Sequence, residues 1–104
     1  MQALTATEAK ALVGLSEAQF QAMVVQLARL RGWAHYHTHD SRRSAAGFPD
    51  LVLVRERVVF MELKSEKGAV KPEQRLWLAR LLEAGAEAHL FRPSQWAEIE
   101  KVLE

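Results

Sequence analysis

Asp50, Glu62 and Lys64 have the types and spacing to do chemistry together. Asp50 precedes an apolar run, Leu51–Val54, and Glu62 and Lys64 lie at the end of a second, Val58–Leu63. Between the runs, Arg55-Glu56-Arg57 interrupts the β-rich pattern and predicts a turn centred on Glu56. An antiparallel hairpin with that centre sets Val54 against Val58, Val52 against Phe60 and Asp50 against Glu62. Directly opposed side chains lie roughly 5 Å apart at Cβ. Side chains alternate faces along a strand, so Lys64 shares a face with Glu62 while Leu63 points the other way. A slip of one residue would separate the three. Like charges facing each other destabilise a sheet. Two readings account for the pair. Either a divalent cation lies between the carboxylates, whose hard oxygens suit Mg²⁺ or Mn²⁺, or both are solvated charges at strand ends with Lys64 as an ion-pair partner.

The elements that must position these residues can be read outward from the hairpin. Residues 40–47, DSRRSAAG, form a small, polar, basic loop leading straight into Pro49-Asp50. Its Arg42 and Arg43 can fork onto phosphate oxygens. Before the loop, residues 33–39 read as a strand with His35, His37 and His39 on one face. Three histidines suggest a transition-metal site, but the spacing spreads them over about 13 Å. The better expectation is a strand edge facing substrate or solvent, with His37 nearest the basic loop.

Two helices precede that strand. Thr5 and Glu8 have capping-box spacing and predict a short helix ending near Gly14; Ser16 and Gln19 repeat the pattern. The second helix carries Phe20, Met23, Val24, Leu27 and Leu30 on one stripe, ends at Gly32, and holds Glu17 and Gln21 one turn apart. After Lys64, residues 66–71 form a turn, and Pro72 suits the first turn of a helix that stops at Gly85. Its apolar residues are Leu76, Trp77, Leu78, Leu81 and Leu82, and Gln74 at its N-terminus faces back toward the strand end. Lys67, Lys71 and Arg75 can follow a phosphate backbone. A last strand over residues 88–92 leads to a helix with Ser94 as N-cap and Trp96, Ile99, Val102 and Leu103 on its apolar side. The order is α-α-β-β-β-α-β-α, an α/β class with a mixed sheet flanked by helices.

Bulk properties narrow the function classes. The 104 residues fit one domain, with residues 1–15 as a peripheral helix. No cysteine is present, which removes disulfide and thiolate chemistry and fits a reducing cytoplasm. No apolar run suits a membrane span and the N-terminus lacks a signal-peptide pattern, so no membrane association is expected. No Gly-rich phosphate loop occurs, so no nucleotide cofactor is expected. Net charge is only +1, but residues 29–80 hold 11 of the 14 Lys and Arg and 6 of the 13 Asp and Glu, a local net of +5 against −4 elsewhere. Positive charge clustered around the acidic pair is the footprint expected for a nucleic-acid backbone.

Pro49-Asp50, eleven intervening residues and Glu62-Leu63-Lys64 resemble the PD-(D/E)XK nuclease signature. Gly47-Phe48-Pro49-Asp50 before one strand, Phe60 to Lys64 in the next, and Lys71-Pro72-Glu73-Gln74 opening a helix resemble the VRR-NUC branch, in its stand-alone phage or bacterial form. The similarity runs from about Ser16 to about Arg92. It implies a restriction-endonuclease-like core and a deoxyribonuclease using Mg²⁺ or Mn²⁺ in the cytoplasm of a bacterium or phage-infected cell. Asp50, Glu62 and the Leu63 backbone carbonyl would bind the cation, Lys64 would handle the attacking water, and Gln74 would orient water or phosphate. The family's first-helix glutamate aligns with Gln21, a departure from the pattern, with Glu17 as the alternative one turn earlier. The resemblance further implies a homodimer acting on branched DNA, four-way (Holliday) junctions first. The competing expectations are a nuclease of single-stranded or flap DNA and a non-catalytic DNA-binding module with the same fold.

Overall fold

The computed structural model of the chain describes residues 5–38 and 45–104. In chain order it contains helices α1 (Ala6–Val13) and α2 (Glu17–Leu30), strands β1 (Ala34–His37), β2 (Leu51–Val54) and β3 (Val58–Leu63), helix α3 (Pro72–Glu83), strand β4 (Glu87–Phe91), a 3₁₀ turn (Pro93–Gln95) and helix α4 (Trp96–Val102). The expected order of elements holds. Both N-terminal capping boxes form: Thr5 and Ser16 accept from the amides of Glu8 and Gln19, whose side chains return to the amides of Thr5 and Ser16.

The four strands lie in the order β1-β2-β3-β4, with β1, β2 and β3 antiparallel and β3 and β4 parallel. The hairpin register is the expected one, Val54 opposite Val58 and Val52 opposite Phe60, around a turn closed by the Arg55 amide on the Arg57 carbonyl at 3.1 Å. One sheet face carries Leu51, Leu53, Val59, Met61, Leu63 and Phe91 against Phe20, Val24 and Ala28 of α2 and Ile99 and Leu103 beyond the sheet. Burial of these side chains is the main apolar contribution to folding. On the other face α3 covers β3 and β4, with Phe48 set edge-on between Phe60 and Trp77.

Three local expectations are corrected. The α2 stripe is centred on Phe20, Val24 and Ala28, while Leu30 is 79% exposed: it falls in the last helical turn, rotated off the buried face. No residue of α3 is fully buried, and Leu76 and Leu82 are half-exposed, because a single helix lies on this face and only Trp77, Leu78 and Leu81 turn toward the sheet. Ser94 is not a helix N-cap. It lies inside the 3₁₀ turn with its amide on Glu66 Oε2 at 3.0 Å, and the Gln95 side chain caps the Arg92 amide instead.

Candidate active site

The last residues of β3 are enclosed from four sides: β2 on one edge, β4 on the other, α2 and α4 beneath and α3 above. Met61, Glu62, Leu63 and Lys64 are all buried as a result. Parallel pairing with β4 demands this two-sided cover, and Glu62 and Lys64 are the buried charged residues among those described.

Asp50 stands one residue beyond β2, where the hairpin register carries it opposite Glu62. Its carbonyl accepts from Thr38 at 3.0 Å, and its Oδ2 accepts the Leu63 amide at 2.9 Å. The second contact ties the Asp50 carboxylate to the end of β3. Glu62 is 1% exposed. Its Oε2 accepts from Gln74 Nε2 at 3.2 Å and lies 3.5 Å from Lys64 Nζ, while Oε1 is buried with no hydrogen-bond partner. Burial, with the Asp50 carboxylate beside it, pushes the Glu62 carboxyl up to about 8, and Lys64 only partly opposes this.

Lys64 also meets α2. Its Nζ is 3.6 Å from Glu17 Oε1, so the first-turn glutamate of α2 reaches the site. Gln21, one turn on, lines a separate cleft of about 370 Å³ with His35 and His37, and its Nε2 is buried without a partner. Gln74 spans two roles: its Oε1 accepts the Lys71 amide at 2.8 Å while its Nε2 reaches Glu62. Lys71 and Gln74 line a polar cavity of about 310 Å³ with Thr38, Asp50, Glu73 and residues 45–48. Lys67 and Arg75 are exposed, Lys67 in a cleft with Lys10 of α1. Arg42, Arg43, Asp40 and His39 lie outside the described residues.

Two supports escaped the sequence reading. Arg92 Nη1 lies 2.8–3.1 Å from the carbonyls of Ser65, Glu66 and Gly68, and so shapes the turn that follows Lys64. An arginine ending a strand carries no local signal of such a role. Trp77 Nε1 donates to the Ala46 carbonyl at 3.1 Å, fixing the chain just before Pro49-Asp50 to α3. In the sequence Trp77 stands only as one of the apolar residues of the helix.

The donor set suits a hard cation. Two carboxylates lie together, one with an orphaned buried oxygen, and such an atom is costly unless a cation or proton meets it. Among the described residues no three His, Asp or Glu side chains form a metal-holding group by themselves. A backbone carbonyl, water or phosphate would have to complete the coordination.

The family model for the VRR-NUC domain matches residues 8–95. A solved structure described as a VRR_NUC domain protein superposes with a TM-score of 0.70, covering 86% of each chain at 19% sequence identity, a likeness of fold. No curated protein matches.

Proposed function

The chain belongs to the VRR-NUC domain family, and from this we propose that it is a metal-dependent endonuclease hydrolysing DNA phosphodiester bonds, selective for branched DNA such as four-way junctions. The observation that carries the reading is Glu62: a carboxylate 1% exposed, with an unpartnered oxygen, beside a second carboxylate and 3.5 Å from a buried lysine. A merely structural ion pair would leave neither the second carboxylate nor the orphaned oxygen to explain.

Asp50, Glu62 and the Leu63 carbonyl would hold Mg²⁺ or Mn²⁺. When bound, such a cation draws charge from a scissile phosphate and lowers the pKa of a bound water. The Lys64 ammonium, at the mouth of the pair, positions the attacking water and offsets the negative charge that grows on the phosphoryl oxygens. Glu17 keeps Lys64 turned toward the site from the α2 side. Gln74 orients Glu62 by donating to Oε2, leaving Oε1 for the cation. Lys67, Lys71 and Arg75, with Arg42 and Arg43, supply the backbone contacts that position DNA without reading its sequence.

Two copies would make the paired cuts that a symmetric junction requires. The uncovered part of the α3 face supports this: Tyr36 is 64% exposed, and Val54 and Val58 on the same sheet face are 43% and 45% exposed. Val54→Glu should turn a dimeric mass in solution into a monomeric one.

The test is cleavage of a synthetic four-way junction and of linear duplex in Mg²⁺, in Mn²⁺ and in chelator. The expected result is metal-dependent cutting of the junction, lost in Lys64→Ala. Salt-dependent binding without cleavage in either metal would make the protein a DNA-binding module instead.

A further inference from the structure

We infer that Gly47 is a positioning residue for the site: by leaving no side chain between the segment entering Asp50 and the first turn of α3, it holds Gln74 on Glu62. The inference rests on the nuclease reading for its kinetic consequence, but its structural consequence can be read without it.

Three glycines have a positive φ: Gly32 at +81°, Gly47 at +87° and Gly85 at +87°. Each bears the same conformational demand, which L side chains meet poorly. Only their surroundings differ. A Cβ on Gly32 or Gly85 would meet nothing within 4 Å, whereas on Gly47 it would lie 2.5 Å from the carbonyl carbon and oxygen of Glu73 and 2.8 Å from the Gln74 amide nitrogen. All three atoms are backbone, so no side-chain rotation relieves the overlap. Gly47 thus sits flush on the N-terminal turn of α3, at the residue whose side chain reaches the site.

The contacts on either side of Gly47 run the same way. The Ala46 carbonyl accepts from Trp77 Nε1 at 3.1 Å, and the Phe48 ring lies edge-on to Trp77 with centroids 5.1 Å apart. Three residues after Gly47, Asp50 takes the Leu63 amide. Residues 46–50 therefore link the α3 N-terminus to one acid of the pair, and Gln74 links it to the other. Any side chain at position 47 must push α3 from the segment or the segment from α3. Either movement draws Gln74 Nε2 off Glu62 Oε2.

Gly47→Ala is compared with Gly85→Ala, which has the same strain without the contact, each alone and with Gln74→Ala. Two readouts are taken. The first is the single-turnover cleavage rate at saturating junction DNA, and the second is the ¹⁵N–¹H resonance pair of the Gln74 side-chain amide, assigned by its loss in Gln74→Ala. Gly47→Ala should lower the rate about 10- to 100-fold, the scale of a misplaced catalytic group. It should lower it less than about 3-fold in the Gln74→Ala background, and move the Gln74 amide toward the position of a solvated glutamine. Gly85→Ala should do neither. Additive losses, or an unmoved Gln74 amide, overturn the inference. If Gly47→Ala fails to fold, Trp77→Phe releases the same segment by removing the bond to Ala46, and the same two readouts decide. If the wild type cuts no DNA while the amide still moves, the nuclease reading falls and the positioning role stands.

Discussion

At the turn of the β2–β3 hairpin, Arg55, Glu56 and Arg57 each find partners, whereas at its open end Glu62 keeps an oxygen with none. Glu56 accepts from Arg55 and faces Arg57 at 3.3 Å. Arg57 also pairs with Glu87 at 2.7 Å and donates to the Val102 carbonyl, while Arg55 donates to the carbonyls of Arg31 and Glu104. Both guanidinium groups lie over the Trp33 ring, at 4.5 and 5.1 Å. The Arg55 hydrogen bond holds the Glu56 carboxyl down at about 2, while burial holds Glu62 up at about 8. The same residue types thus settle one end of the hairpin and leave the other unsatisfied. An unsatisfied buried polar atom costs stability, and such atoms cluster where a ligand is to be met.

The sharpest way to break this comparison is to delete side chains at both ends. Asp50→Ala, Glu62→Ala and Lys64→Ala should each lower cleavage by about 10³-fold or more, the scale of losing a metal ligand or a charge-stabilising group. Each should leave the far-ultraviolet circular dichroism of the folded protein unchanged. Arg57→Ala should leave the rate within about 2-fold while lowering stability by about 1 kcal/mol, from its carbonyl bond and its place over Trp33. Equal losses of cleavage at the two ends would remove the distinction.

The next effect is on stability against pH, and the two ends have opposite signs. The Glu62 carboxyl is raised on folding, so the native state binds its proton more tightly than the unfolded chain. Its contribution is fully present below the ordinary carboxylate range and is lost as pH rises toward about 8. The loss should appear as a falling urea midpoint. Glu62→Gln should flatten that slope, and Mg²⁺ or Mn²⁺ should restore stability at pH 8 in the wild type but not in Glu62→Gln. The Glu56 carboxyl is lowered, so its contribution is present above the ordinary range and is lost as pH falls toward about 2. Glu56→Gln should therefore change the acid limb alone.

The same contrast explains what the residue pattern could reveal. The hairpin register follows from one interruption, Arg55-Glu56-Arg57, between two apolar runs, and it brings Asp50 opposite Glu62. Local patterns also located the helix starts, because Thr5, Ser16 and Pro72 act within their own turn. The contacts that complete the site act across the fold. Arg92 reaches Ser65, Trp77 reaches Ala46 and Glu17 reaches Lys64, partners separated by 27, 31 and 47 in residue number. No local periodicity encodes such meetings. Alignment from Gly32 leaves the α2 acidic position between Gln21 and Glu17, and it is the Glu17 carboxylate that faces Lys64. The misreading of Ser94 has the same origin. A serine after Pro93 has the local form of a helix cap, but Gln95 does the capping and Glu66, 28 residues earlier in the chain, takes the Ser94 amide.

The smallest effect separates cations by what already holds them. Arg55 and Arg57 are engaged with Glu56, Glu87 and backbone carbonyls, so a phosphate would have to displace protein partners to reach them. Lys67, Lys71 and Arg75 are exposed, Lys71 in the cavity that Asp50 and Gln74 line, and Arg42 and Arg43 precede Asp50 in the chain. A cation that neutralises a phosphate releases a counterion, and each contact adds about −0.9 to the slope of log affinity against log salt for duplex DNA. Arg42→Ala with Arg43→Ala should therefore reduce the slope for junction DNA by about 2, measured by fluorescence anisotropy in chelator so that cleavage does not intervene. Arg55→Ala with Arg57→Ala should leave the slope unchanged and lower only the folded fraction. A loss of slope from the second pair would mean that the turn also meets DNA, and the two ends of the hairpin would then differ in chemistry but not in contact.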